Sequence, residues 1–174
     1  MEKFPARASQ KRQREYLLSR LLVAHILEEP FTILYNDAGK PYLVGKPERI
    51  SLSHSGEAAV LWIGRHAGGV DIQKDDARIL RVARHFLSPE QFRQAEKIQD
   101  HLRRKSLLLK AWTIKEACYK SLDYDVGYRC HILFGLAELQ HSDQVNVIVV
   151  TGRGLICRNL WHFCNGQYHL AFTV

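Results

Sequence analysis

Three short segments carry side chains that could bind a metal ion or a phosphate group. Asp71 and Gln73 stand two residues apart in a stretch where apolar residues alternate with them, which predicts a strand with both oxygen-bearing side chains on one face. Glu116 and Lys120 are separated by about one turn of a predicted helix. The third segment, Ser-His-Ser at 53–55, ends an alternating strand at a polar turn.

Oxygen ligands that converge from different elements could hold Mg²⁺, which takes a few protein oxygens together with water and substrate phosphates. A lysine beside them would offset charge on a phosphoryl group. Each pattern has a commoner explanation when it is taken alone. Asp71 and Gln73 would usually form a solvated strand face, and Glu116 and Lys120 a surface ion pair. A single histidine such as His54 is more often structural than catalytic.

Four blocks of sequence, taken together, are more specific than any one of them. In chain order they are Gly-Lys-Pro-Tyr (39–42), Ile-Ser-Leu-Ser-His-Ser (50–55), Gly-Val-Asp-Ile-Gln (69–73) and Trp-Thr-Ile-Lys-Glu-Ala-Cys-Tyr-Lys (112–120). The last block, of the form Trp-x-x-Lys-Glu-x-x-x-Lys, is the most specific. In this order and spacing, over residues 36–120, the sequence resembles the surfactin-type phosphopantetheinyl transferases.

The resemblance implies an enzyme, a 4′-phosphopantetheinyl transferase or holo-acyl-carrier-protein synthase. Such an enzyme moves the phosphopantetheine arm of coenzyme A onto a serine of an apo acyl or peptidyl carrier protein, depends on Mg²⁺ and releases 3′,5′-ADP. The resemblance also implies an α+β fold of two similar halves related by a pseudo-twofold, each with an antiparallel sheet and packed helices. We expect residues 1–70 to form one half and residues 71–174 the other, with coenzyme A between them.

The resemblance further assigns roles in catalysis and metal binding. Asp71 and Glu116 match the magnesium-binding acids, and Gln73, or a water that it positions, completes the ligand set. Glu116 is the first choice for the general base and Asp71 the second. Lys120 matches a lysine near the pyrophosphate. The family usually has glutamate at the position of Gln73, so we expect weaker metal binding because one negative charge is missing.

A second set of residues is implied to bind coenzyme A. Ser53 and His54 match residues that contact it, with His54 near the 3′-phosphate, and Lys40 matches a lysine of the nucleotide site. Lys115 belongs to the last motif and is expected to face a phosphate. Basic residues near the start of the chain are further candidates for phosphate contacts: Arg12, Arg14 and Arg20.

The elements that must position these residues follow from periodicity and from start and stop signals. Ser88, Pro89 and Gln91 form a typical helix start, with a serine cap, an early proline and a glutamine that completes a capping box. Helices are predicted over 10–28, from 89 and over about 104–122, and strands over 50–54, 58–63, 70–73, 145–150, 155–161 and 168–172. The order helix, strands, helices, strands predicts an α+β fold with antiparallel sheets.

The composition is that of a soluble globular protein, with 46% hydrophobic and 25% charged residues among 174. No apolar run approaches the length of a membrane span, and the first residues lack the apolar core of a secretion signal, so we expect a cytoplasmic protein. The net charge of +7 predicts an acidic partner: a phosphate-rich cofactor, an acidic protein or nucleic acid. Buried free thiols without zinc-ligand spacing are expected at Cys118, Cys130, Cys157 and Cys164.

A basic helical region is the candidate docking surface for the carrier protein, because carriers of this kind are acidic around the modified serine. It carries Arg81, Arg84, Arg93, Arg103, Arg104 and Lys105. An ordinary helix with a solvated basic face is an equally good explanation. Since both walls of the coenzyme A cleft could come from one chain, we expect a monomer.

Three alternatives remain open. A metal-dependent nuclease would have an acid followed by Glu-x-Lys or Gln-x-Lys on a strand, whereas here Gln73 directly precedes Lys74 and the Glu116–Lys120 pair lies on a predicted helix. A non-catalytic nucleic-acid-binding domain would explain the charge, but the sequence has no RNA-recognition motif and no zinc-finger spacing. The third is a degenerate family member that only binds, with Gln73 as its suspicious substitution.

Overall fold

The computed structural model describes residues 9–123, 126–127 and 131–173. Helix α1 (Gln10–Leu27) begins after Ser9, whose side chain accepts a hydrogen bond from the backbone N–H of Arg12. It ends at Glu28, which adopts the left-handed backbone conformation with a φ of 53°. The helix predicted over 10–28 is confirmed.

A four-stranded antiparallel sheet follows α1. Its strands are β1 (Ile33–Tyr35), β2 (Pro41–Leu43), β3 (Arg49–Ser55) and β4 (Ala58–Gly64), hydrogen-bonded in chain order. Gly56 closes the β3–β4 hairpin with a φ of 59°, which glycine adopts without steric cost. Helix α1 and this sheet enclose a small core that contains Val23, Ile33, Leu43 and Ile50.

Helices and a second antiparallel sheet follow in the rest of the described chain. Strand β5 (Val70–Lys74) is followed by helices α2 (Ile79–Phe86), α3 (Pro89–Glu96) and α4 (His101–Lys120). The remaining elements are β6 (Ile132–Leu133), the short helix α5 (Leu136–Leu139), β7 (Gln144–Thr151), β8 (Gly154–Cys164) and β9 (Tyr168–Thr173). Because the strand order is β5-β9-β8-β7-β6, β5 lies at an edge of this sheet.

Helix α4 packs against β5, β8 and β9 and contributes to the larger of the two cores. The Asp100 side chain caps its start by accepting hydrogen bonds from the backbone N–H groups of Leu102 and Arg103. The helix therefore begins before the predicted position near residue 104. Hydrophobic periodicity detects the apolar face of a helix, whereas this polar first turn is held by its cap.

The predicted α+β fold with two antiparallel sheets is confirmed. Residues 33–64 supply the strands of the first sheet and residues 70–173 those of the second. The pseudo-twofold and the boundary after residue 70 stay predictions. The capping box at the start of α3 is confirmed, because Ser88 and Gln91 each accept a hydrogen bond from the other's backbone N–H. Within the described ranges, no helix combines the length and apolar character needed to cross a membrane.

The cysteines differ from the expectation of buried thiols. Cys118, Cys157 and Cys164 are free, and only Cys118 among them is buried, where burial raises the pKa of its thiol to about 12. Cys157 and Cys164 are exposed, so the prediction is wrong for both. Cys157 lies on the exposed face of β8 with Leu155 and Trp161, whereas Cys164 lies on the face of buried Leu160 and His162 but at the exposed end of the strand. Cys130 lies outside the described residues.

Candidate active site

Three serines of β3 join the first sheet to the second. They alternate along the strand and therefore lie on one face of it. The N–H groups on the free side of edge strand β5 have no neighbouring strand to pair with, and the serines accept their hydrogen bonds instead. The bonds run from Val70 N to Ser51 Oγ (3.1 Å), from Ile72 N to Ser53 Oγ (3.2 Å) and from Lys74 N to Ser55 Oγ (2.9 Å). We call this arrangement the serine ladder.

Gly69 sets how closely β5 approaches α4. A Cβ atom at this position would lie 2.0 Å from the carbonyl oxygen of Ala117 and 2.7 Å from the backbone nitrogen of Ser121. No side chain fits in that gap, so glycine is required for close packing of the two backbones. The contact lies two residues before Asp71 and within the last turn of α4, and it brings the carboxylate beside Lys120.

Asp71 is 5% exposed and has two carboxylate oxygens in different situations. Its Oδ1 accepts hydrogen bonds from Ser53 Oγ and from Lys120 Nζ, each at 2.7 Å. Its Oδ2 is buried and has no hydrogen-bond partner among the residues that the structure describes. A buried carboxylate oxygen without a partner is costly, because it has lost its water and gained no donor. A bound cation would supply the missing interaction.

The Asp71 side chain lines a cavity of about 390 Å³ at the junction of β3, β5 and α4. Asp71, Gln73, Glu116 and Lys120 all line it, together with Trp112. Trp112 in turn packs edge-on against Phe86 of α2, with ring centroids 5.1 Å apart. The structure therefore brings together the residues that the sequence singled out for metal binding.

The donors in this cavity suit Mg²⁺. Asp71 and Glu116 contribute carboxylates and Gln73 an amide oxygen, and Mg²⁺ is commonly held by one or two carboxylates plus water and substrate phosphates. Over residues 9–123, 126–127 and 131–173, no cluster of three or more His, Cys, Asp or Glu side chains could hold a metal.

A second cavity of about 940 Å³ opens beside the first and shares Ser53, His54, Glu116 and Lys120 with it. Its volume lies within the range usual for small-molecule sites. It runs between α1, the β1–β2 hairpin and the end of α4. Cationic side chains line much of it: Arg12, Arg20, Lys40, Lys46, Arg49 and Lys120. Such a lining favours a ligand that carries several phosphates.

Lys40 lines the larger cavity, but its ammonium group contacts the end of α4. It donates hydrogen bonds to the carbonyl oxygens of Tyr119 (3.1 Å) and Leu122, and it lies 5.4 Å from the centre of the Tyr119 ring. Arg49 makes a similar connection through two hydrogen bonds to the Asp123 carboxylate, at 2.7 and 2.9 Å. Both cations thus fasten the first sheet to the chain at the end of α4, and Lys40 lies at the negative end of the helix dipole.

Residues of α1 form the opposite wall of the larger cavity. His54 lies against this helix, with its Nε2 3.0 Å from Glu15 Oε2. Arg12 and Arg20 line the cavity, and their contact with phosphates stays a prediction. Arg14 does not line it, and pairs with Glu57 at the β3–β4 turn.

Lys115 is the candidate that the structure does not bring to the site. It is fully buried, its Nζ lies 5.7 Å from the centre of the Phe134 ring, and it lines neither cavity. Successive helical residues differ by about 100° around the axis. Glu116 therefore faces the cleft while Lys115 packs inside, and the expected phosphate-facing position is not observed.

The stretch of chain that holds the metal-site candidates matches a known family. A sequence model described as the 4′-phosphopantetheinyl transferase superfamily matches residues 67–173. This chain belongs to the 4′-phosphopantetheinyl transferase superfamily. The matched range contains Asp71, Gln73, Glu116 and Lys120, whereas the serine ladder's acceptors on β3 precede it. The family resemblance is confirmed, and the blocks at 69–73 and 112–120 lie within the matched range.

One similar protein comes from Synechocystis sp. It carries the name "Putative 4′-phosphopantetheinyl transferase slr0495" and is 30% identical over 114 residues, which cover 60% of this chain and 46% of that protein. The chain therefore spans about half the length of this relative.

Two features of the site were missed from the sequence. The first is Glu15, whose carboxylate contacts His54 although 39 residues separate the two along the chain. Nothing in the sequence around Glu15 indicated that contact. The second is the serine ladder, for which a signal was available: serines at 51, 53 and 55 repeat at the period of a strand.

Proposed function

We propose that this chain transfers the 4′-phosphopantetheine arm of coenzyme A to a serine of an apo acyl or peptidyl carrier protein and releases 3′,5′-ADP. Membership of the superfamily supports the reaction class. The observation that carries the proposal is the Asp71 carboxylate, which is held at one oxygen by Lys120 and has its other oxygen buried without a hydrogen-bond partner among the described residues. Its side chain lines the smaller cavity, which adjoins the larger cavity with cationic walls.

Asp71, Glu116 and Gln73 are the residues that would hold Mg²⁺ in this proposal. When bound, Mg²⁺ offsets charge on the pyrophosphate of coenzyme A as a phosphorus–oxygen bond breaks. Asp71 offers its unpartnered Oδ2, and Gln73 offers an amide oxygen in place of a charged one. The larger cavity would accept the nucleotide end of coenzyme A, with Arg12, Arg20 and the neighbourhood of Lys40 facing its phosphates.

Glu116 and Lys120 act on the reacting groups in the proposed mechanism. Glu116 accepts the proton of the carrier serine as the serine oxygen attacks the phosphorus attached to pantetheine. The bond from that phosphorus to the bridging oxygen breaks, and its electron pair leaves with 3′,5′-ADP. Lys120 lies where its ammonium group could stabilise charge on the pyrophosphate while it keeps its hydrogen bond to Asp71.

The carrier protein is proposed to dock on the basic helical region that spans residues 81–105. Arg81, Arg84 and Arg103 are exposed there, next to the exposed apolar side chains of Val82 and Leu102. Arg104 and Lys105 are less available, because they pair with Glu96 and Asp75. An acidic partner with a small apolar face would fit this surface.

We further propose that residues 1–70 and 71–174 form the two halves of the chain. The protein is also proposed to act as a monomer and to be located in the cytoplasm. The two cavities meet where β3 of the first sheet adjoins β5 and α4 of the second, so one chain supplies both walls of the cleft.

Intact-mass spectrometry tests the proposed function. The purified protein is incubated with coenzyme A, Mg²⁺ and an apo carrier protein, and the carrier is then weighed. We expect a mass gain of one phosphopantetheine that is absent when EDTA is present. No gain on any of several apo carriers, with a protein shown to be folded, would contradict the proposal.

A further inference from the structure

The hydroxyl of Ser53 lies between the edge of one sheet and the candidate metal ligand of the other. It is within hydrogen-bond distance of the backbone N–H of Ile72 (3.2 Å) and of Asp71 Oδ1 (2.7 Å). The Ile72 N–H can only donate, and an ionised carboxylate can only accept. The hydroxyl must therefore accept the first bond and donate its single proton to the second.

This assignment limits what Ser53 can do for a bound ligand. A phosphate oxygen needs a donor, and the only proton of the Ser53 hydroxyl is already committed to Asp71. In the arrangement observed, Ser53 cannot also donate to a phosphate of coenzyme A. Its role then follows from Asp71, which it touches directly.

We propose that Ser53 is a positioning residue that orients the Asp71 carboxylate for metal binding. The inference rests on the proposed function and deepens it. Ser53 and Lys120 bind Oδ1 from two different elements, which restrains the carboxylate and leaves Oδ2 as the oxygen without a hydrogen-bond partner in the described chain, on a side chain that lines the smaller cavity. Partners that hold a metal ligand in this way commonly contribute about tenfold to hundredfold in metal affinity.

The other two serines of the ladder provide an internal comparison. Ser51 and Ser55 accept backbone hydrogen bonds from β5 as Ser53 does, at 3.1 and 2.9 Å. Neither contacts Asp71 within the hydrogen bonds of the described residues, so each shares the structural part of the role without the link to the carboxylate. Loss of a ladder bond can therefore be separated from loss of carboxylate orientation.

Calorimetric titration of Mg²⁺ into the protein saturated with coenzyme A tests this inference. For Ser53→Ala we expect metal binding at least about tenfold weaker than in the wild type. Ser55→Ala should bind Mg²⁺ within about twofold of the wild type, and Ser53→Thr, which keeps the hydroxyl, should stay close to it. In transfer assays, the Mg²⁺ concentration for half-maximal rate should rise for Ser53→Ala while the KM for coenzyme A stays the same.

Several outcomes would overturn the inference. Unchanged Mg²⁺ affinity in Ser53→Ala would do so, and so would a raised KM for coenzyme A with normal metal dependence, which would make Ser53 a ligand contact. Equal losses of Mg²⁺ affinity in Ser53→Ala and Ser55→Ala would mean that Ser53 acts only through its backbone hydrogen bond in the serine ladder. A wild-type protein that binds no Mg²⁺ with coenzyme A present would also overturn it. Metal binding without transfer to any carrier would instead contradict the proposed function and leave the role of Ser53 standing.

Discussion

The ammonium group of Lys120 lies 2.7 Å from Oδ1 of Asp71, across the contact between helix α4 and edge strand β5. The aspartate side chain is 7% exposed and the lysine side chain 26%. A carboxylate this deeply buried needs a cationic partner, since removing one member of such a pair leaves an uncompensated charge. The ion pair thus connects the stability of the site to its proposed chemistry.

Lys120→Met tests this connection by removing the charge and keeping the length of the side chain. We expect the rate of arm transfer to fall by about 100-fold or more, because a preorganised cation no longer faces the pyrophosphate. The free energy of unfolding, measured in urea, should also decrease, because Asp71 loses its cation. Turnover within threefold of the wild type would contradict the role given to Lys120.

Glu116→Gln removes the proposed general base without changing the size of the side chain. Transfer should fall by about 100-fold to 10,000-fold, the usual contribution of a positioned base. The near-ultraviolet circular dichroism spectrum and the melting temperature should stay close to those of the wild type. Near-normal turnover in this variant would make Asp71 the candidate base.

Gln73→Glu adds a negative charge to the proposed metal site. Because ligand charge raises affinity for hard cations, we expect the Mg²⁺ concentration for half-maximal transfer to fall by about tenfold. Gln144→Glu makes the same change at an exposed position of β7 and serves as the control. If both variants behaved alike, Gln73 would have no part in metal binding.

Charge reversal tests the proposed carrier surface. In the double variant Arg81→Glu and Arg84→Glu, the KM for the carrier should rise by about tenfold or more at low ionic strength, and the difference from the wild type should shrink as salt is added. The KM for coenzyme A should not change. Arg153→Glu, at the exposed β7–β8 turn, is the matched control. If the carrier KM changed with neither the substitutions nor salt, this basic surface would be an ordinary solvated helix face and not the docking site of the carrier.

Two buried histidines predict how stability depends on pH. His162 Nε2 and His169 Nδ1 lie 3.1 Å apart between β8 and β9. Burial, followed by the positive charges of Lys110 and His169, lowers the pKa of His162 from 6.5 to about 3, although Asp143 acts in the opposite direction. Burial also lowers the pKa of His169. Both rings are therefore neutral in the native protein near pH 7.

The sign of the effect follows from where protons bind. As pH falls below 6.5, His162 is protonated in the unfolded chain, whereas in the native protein it stays neutral until about pH 3. The free energy of unfolding therefore decreases across that interval. Each such histidine adds a slope of at most about 1.4 kcal/mol per pH unit. Urea denaturation between pH 7.5 and 5 should show this loss, and His162→Gln should reduce its slope. An unchanged slope in that variant would contradict the assignment.

The sequence predicted the parts of the site that depend on local periodicity. Asp71 and Gln73 share a strand face, and Glu116 and Lys120 share a helix face, because periods of 2 and 3.6 residues decide both. Their convergence on one cavity followed from the family resemblance. Lys115 shows the limit of motif matching, because membership of a motif does not say which side of a helix faces the cleft.

The remaining differences concern contacts between distant segments. Lys40 was expected at the nucleotide, but it also reaches carbonyl groups at the end of α4, which lie about 80 positions along the chain and leave no trace in the local pattern. Cys157 was expected to be buried because its neighbours are apolar. In a sheet with one solvent-facing side, the neighbours of an exposed residue are the buried ones.

The serine ladder has a consequence for strand alignment. Its acceptors repeat at every second residue, so the bonds alone would tolerate a slide of two residues, about 6.6 Å, that pairs each N–H with the wrong serine. Asp71 would then lie beside Ser51 or Ser55 instead of Ser53, and its carboxylate would be displaced from the cavity. Gly69 opposes this, since a slide of two residues would bring Ala67 or Asp71 to its place against Ala117, where a Cβ does not fit. The absence of a side chain at Gly69 thus helps to set the position of Asp71, the proposed metal ligand two residues away.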